Sequence, residues 1–115
     1  MSEIEAVFKD LIEQFHEKMK EDKSARDKLA GKEVRMVVII TDENRYKFHL
    51  KDGEIIDFGV GDYADKDVTV SMAKETFTKM QTGDLSPMRA FMTKKIQFEG
   101  SMSHMLLMRG VLTGE

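Results

Sequence analysis

Residues 67–100, DVTVSMAKETFTKMQTGDLSPMRAFMTKKIQFEG, carry the reading that decides the fold. Val68, Val70 and Met72 alternate with Thr69 and Ser71, the period-2 signature of a half-buried strand. A short helix follows, with Phe77 and Met80 three apart on one face and Gly83 where a left-handed C′ residue belongs. Ser86-Pro87 then opens another helix, serine as N-cap and proline at the first helical position, where its missing N–H leaves no bond unmade. That helix carries Met88, Phe91 and Met92 on one stripe. Ile96 and Phe98 face inward and Gln97 and Glu99 outward in a second strand that stops at Gly100. The unit is strand, helix, helix, strand.

Outward toward the N-terminus, Ile4, Val7, Phe8, Leu11, Ile12, Phe15 and Met19 recur at steps of three and four, predicting an amphipathic helix over residues 3–21. Ser24 is a candidate cap for a short helix over 25–29, ended by Gly31. Residues 33–41 read as a strand apolar on both faces, with Val34, Met36, Val38 and Ile40 on one and Val37 and Ile39 on the other. Such a strand belongs well inside a sheet. Residues 45–50 alternate cleanly, Tyr46, Phe48 and Leu50 inward. Asp52-Gly53 is a type I′ hairpin signal, because both central residues of that turn need positive φ. The strand over 54–60 is expected to point Ile56, Phe58 and Val60 inward. Residues 61–66 cross the sheet, and Ser101 or Ser103 caps a last helix bearing Met102, Met105, Leu106, Met108, Arg109 and Leu112. The outer sheet face is polar except for a strip of Val37, Ile39 and Ile55, so all helices should pack on the other face. The strip is either ordinary surface or a weak homodimer contact.

The fold class expected is α+β: a five-stranded, mostly antiparallel sheet with helices on one face, in one domain over residues 1–115. The organising segment resembles the sterol carrier protein 2 (SCP2-type lipid-binding) family. The resemblance rests on Asp67-Val68-Thr69-Val70, Glu75-Thr76-Phe77, Gly83-Asp84-Leu85-Ser86-Pro87, Ala90-Phe91-Met92 and the strand from Ile96 to Gly100. The family pattern usually has Ser or Asp where Ala73 stands. The resemblance implies a hydrophobic tunnel for sterols, fatty acids, acyl-CoAs or phospholipids.

Bulk properties set further bounds. Hydrophobic residues make up 41% and charged residues 34%, ordinary for a globular chain. A net charge of −3 argues against general attraction to nucleic acid or to an anionic membrane. With no cysteine there is neither a disulfide frame nor a thiolate site, and a cytoplasmic location is expected. The acidic N-terminus is wrong for a secretion signal and the C-terminus is not a Ser-Lys-Leu address. No run approaches the ~20 apolar residues of a membrane span, so stable membrane insertion is not expected. Of ten methionines, seven follow residue 70. Such flexible side chains fill irregular cores and also suit a cavity with changing contents.

The polar residues assemble no catalytic set. Glu13-x-x-His16 has the spacing of carboxylate di-metal bundles, but those need two copies. His16-Glu17-x-x-Lys20 lacks the second histidine of a zinc-protease motif, and His49 and His104 have no partner in sequence. Gly59-Val60-Gly61 lacks a third glycine, and Asp62, Asp65 and Asp67 miss the calcium-loop spacing. Lys94-Lys95 is a solvated helix end or a contact for an anionic head group. No catalytic residue, metal or cofactor is therefore expected. The expected function is non-catalytic binding or transfer of a lipid or fatty acyl ligand. The candidate ligand-binding residues are Phe8, Leu11, Phe15, Val38, Phe48, Phe58, Phe77, Met80, Met88, Phe91, Met92, Met105, Met108 and Leu112. The alternatives are a structural or dimerisation module without bound lipid, and an enzyme acting on a lipid thioester.

Overall fold

In the computed structural model, which describes residues 3–113 and their side chains through residue 107, the central strand is β1 (Glu33–Ile40). It pairs antiparallel with β2 (Arg45–Lys51) on one side and parallel with β4 (Val68–Met72) on the other. The edges are β3 (Glu54–Val60), antiparallel to β2, and β5 (Ile96–Gly100), antiparallel to β4, giving the order β3-β2-β1-β4-β5. Asp52 (φ 51°) and Gly53 (φ 79°) both take the left-handed conformation that the β2–β3 hairpin requires. Val37, on the outer face of β1, is 0% exposed, as expected of a middle strand.

The inner face is covered by helices. In α1 (Glu3–Glu21), Ile4, Phe8, Leu11, Phe15 and Met19 are the buried stripe. Phe8 is the hub, its ring centroid 5.1 Å from Tyr46, 5.0 Å from Phe48, 6.1 Å from Phe58 and 5.0 Å from Phe77. These tilted and edge-on contacts add ring electrostatics to area burial. Helix α2 (Lys23–Leu29) starts earlier than its sequence pattern predicts. Its cap is Asp22, which accepts the Ala25 N–H at 3.1 Å, and Ser24 lies inside the first turn. Helices α3 (Lys74–Gln81) and α4 (Pro87–Met92) sit between β4 and β5, and α5 (Met102–Thr113) returns over α1 and β1. The Ser86 hydroxyl caps α4 by accepting the Arg89 N–H at 3.1 Å, and Gly83 (φ 83°) ends α3.

The facing assignments of Ile55 and Ile56 are corrected. The β2–β3 register shifts between His49 and Leu50, so that Leu50 faces Ile55 while His49 faces Asp57. The extra residue is a bulge that reverses the alternation. Ile55 is therefore buried at 8% exposure and Ile56 stands out at 50%, while Val60, opposite Tyr46, keeps the inner face and is exposed at the end of the edge strand. Part of the outer face is covered as well, by the 61–67 crossover rather than by a helix. Tyr63 lies there, its hydroxyl donating to Asp57 Oδ2 at 2.6 Å and Lys47 Nζ resting 5.3 Å from its ring centre.

Candidate functional site

Where α3, α4 and α5 meet the inner sheet face, they leave a gap. It is a cavity of about 390 Å³, within the usual ~300–1,000 Å³ of small-molecule sites. Its floor is the buried set Phe8, Val38, Val70, Met72, Phe77 and Ile96, contributed by α1, β1, β4, α3 and β5. Met80 and Leu85 form one wall and Met105 of α5 another. Gln81, Gly83, Ser86 and Pro87 line it too; all four are exposed, so the α3–α4 turn is the mouth.

The gap follows from local sequence. Helix α3 spans only eight residues and α4 only six, joined through Gly83 and a Ser86-capped proline turn. Two short helices cannot tile the sheet as one long amphipathic helix does. Only Thr76 and Phe77 of α3 and Ala90 of α4 are buried. Ala73, at the N-cap of α3, supplies no side-chain bond; Asp42, from the β1–β2 turn, accepts the Lys74 N–H at 2.8 Å instead. That distant cap holds the first turn of α3 over the cavity floor.

Of the side chains expected to meet a ligand, Phe8, Val38, Phe77, Met80 and Met105 are brought together around the cavity. Leu11, Phe48 and Phe58 sit in the core beside it. Phe15 lines a separate depression of about 290 Å³ between α1, α2 and α5. Met88, Phe91 and Met92 stand on the protein surface at 71, 48 and 73% exposure. The side chains of Met108 and Leu112 lie outside the described residues. Sequence reasoning missed Val70, Met72, Leu85 and Ile96 as cavity residues, although inward alternation had already placed three of them on the right face.

The polar residues lie elsewhere. A wide surface depression on α1 and α2 is lined by Asp10, Glu13, Glu17, Glu21 and Asp22, a charged surface unsuited to an apolar guest. On the outer sheet face His49 Nε2 lies 2.8 Å from Glu33 Oε2, and this hydrogen bond holds the Glu33 carboxyl below the usual range. Asp57 is likewise lowered, first by the Tyr63 hydroxyl and then by Lys47, while burial and Asp57 push the Tyr63 phenol up. His16 accepts the Ile55 N–H at Nε2, 3.0 Å away, tying α1 to the bulged strand. His104 Nδ1 is buried with no hydrogen-bond partner among the described residues. Among the described residues no three His, Cys, Asp or Glu side chains gather as a metal site would need. No helix among them is long and apolar enough to cross a membrane.

The architecture is shared with solved structures. A ubiquinone synthesis protein, UbiJ-SCP2, is 14% identical with a TM-score of 0.62, over 98% of this chain and 93% of that one. A palmitated SCP2L2 from Aedes aegypti is 16% identical with a TM-score of 0.60, over 89% of this chain and 90% of that one. The stereoselective inverting sec-alkylsulfatase Pisa1 from Pseudomonas sp. is 20% identical with a TM-score of 0.59; 77% of this chain matches only 14% of that enzyme's length. At these identities the structural likeness shows the fold alone. No curated protein matches the sequence. The SCP-2 sterol transfer family matches it over residues 8–113, and the chain belongs to that family.

Proposed function

We propose that this protein binds one long apolar chain, of a fatty acid or related lipid, reversibly and without catalysis. The observation that carries this reading is the cavity of about 390 Å³ whose floor is almost wholly hydrocarbon. The binding residues proposed are Phe8, Val38, Val70, Met72, Phe77, Met80, Leu85, Ile96 and Met105. At the ~30 Å³ that a water-sized group occupies in a liquid, the space takes about a dozen methylenes. Each buried methylene contributes ~0.8 kcal/mol, so the gross gain is on the order of 10 kcal/mol. Association costs several kcal/mol of that, which leaves affinity near micromolar. Family membership and the palmitated structural relative support the same reading.

The test is displacement of a fluorescent fatty acid from the purified chain, together with native mass spectrometry and organic extraction of fresh protein. Micromolar binding and a co-purified species of lipid mass are expected. Leu85→Trp, which narrows the mouth, should weaken binding about tenfold. Protein that emerges empty and ignores fatty-acid and acyl-CoA probes would contradict the proposal.

A further inference from the structure

Helix α4 is built inside out. Its apolar stripe Met88, Phe91 and Met92 faces solvent at 71, 48 and 73% exposure, and the residue it buries is the small Ala90. Three large apolar side chains within five residues form a contiguous exposed patch, which on a water-soluble surface marks an interaction site. The patch adjoins the mouth of the cavity, since Ser86 and Pro87 line the cavity and open α4.

Charge identifies the occupant. Between Asp84 and Glu99 the chain carries Arg89, Lys94 and Lys95 and no acidic residue, against a net charge of −3 for the whole chain. Lys95 lies near enough to Glu75 to help Lys79 lower that carboxyl, and Arg89 and Lys94 flank the α4 stripe in sequence. An apolar stripe bordered by cations, on an otherwise acidic protein, matches the boundary between acyl chains and anionic head groups. A protein partner would need a groove shaped for a six-residue helix; a bilayer needs only grease and cations at one level.

We infer that α4 is a membrane-docking tip, pressing Met88, Phe91 and Met92 into an anionic lipid surface so that the cavity mouth opens toward the bilayer. The opening toward the bilayer rests on the carrier reading above; the docking itself does not. The test is sedimentation of the full chain with vesicles of mixed phosphatidylcholine and phosphatidylglycerol, or of phosphatidylcholine alone. The wild type should bind the anionic vesicles at least about tenfold more tightly. Met88→Ser/Phe91→Ser/Met92→Ser should lose at least about tenfold, as should Arg89→Gln/Lys94→Gln/Lys95→Gln, while Met88→Leu/Phe91→Leu/Met92→Leu keeps binding. Equal binding by either disruptive variant, or no preference for the anionic vesicles, overturns the inference. So does a concentration-dependent dimer in sedimentation velocity that the serine variant abolishes, because a second copy would then be the occupant. Fatty-acid binding by the wild type without vesicles separates the two readings. Uptake without vesicle binding refutes docking alone, and vesicle binding without uptake refutes the carrier reading alone.

Discussion

Gly100 ends β5 directly against the start of β4, at φ +123°. A Cβ there would stand 2.3 Å from the Asp67 carbonyl oxygen. Gly100→Ala should therefore cost at least about 2 kcal/mol, measured by urea unfolding; a loss under half of that would show that the strand end gives way. Asp67 is fixed by the same corner, its carboxylate accepting the Arg35 N–H at 2.9 Å and its own N–H bonding the Arg35 carbonyl at 2.8 Å. The segment that opens on Asp67 and closes on Gly100 was legible because these residue types have few substitutes there. Asp42 was not legible, since it caps α3 from 32 residues away. Asp42→Ala should destabilise by about 1 kcal/mol, the usual worth of an N-cap, and Ala73→Ser should recover part of it. Acidity probes another residue pair. The depressed Asp57 carboxyl stabilises the fold above its unfolded value of about 3.9 and ceases to as pH falls through the lower folded value. Tyr63→Phe removes the largest cause of that depression. Its urea midpoint should fall below wild type at pH near 7 and converge with it in strong acid, and a gap that widens on acidification would contradict the assignment.

At the scale of elements, periodicity located every helix and strand but misjudged orientation where geometry breaks its own period. The bulge in β3 is the clearest case, because one extra residue sends Ile55 inward and Ile56 outward while the sequence alternates the other way. Both are isoleucine, so composition gives no hint of which is buried. Ile55→Ala should cost about 2–4 kcal/mol and Ile56→Ala less than about 0.5 kcal/mol. Equal costs, read from denaturant midpoints, would place the register elsewhere. Helix α4 shows the same limit. Its stripe of Met88, Phe91 and Met92 was legible, but a stripe does not say which way it turns. Helix α1 was read correctly because its stripe spans more than four turns and packs on the aromatic cluster around Phe8. The inner sheet face buries that stripe in one continuous core.

At the scale of the molecule, one chain builds a filled core and an unfilled one side by side. Under α1 the inner face is occupied by interlocked rings, and under α3, α4 and α5 it is left open. The antiparallel run of β1, β2 and β3 and the place of β1 inside the sheet followed from hairpin signals and strand patterning, but the parallel pairing of β1 with β4 did not. The cavity did not, because an empty volume is set by helix lengths and packing angles that no single residue encodes. The family resemblance supplied the expectation of a tunnel, and the geometry shows where space remains. Methionines mark both regions: Met72, Met80 and Met105 line the cavity, Met36 and Met19 are buried away from it, and Met88 and Met92 are outside. The decisive measurement is a methyl NMR spectrum of protein labelled at its methionine methyls, titrated with palmitate. Binding in the cavity predicts saturable shifts at Met72, Met80 and Met105 with Met19 and Met36 unmoved. Silence at those three methyls under saturating palmitate, or shifts confined to Met88 and Met92, would contradict it.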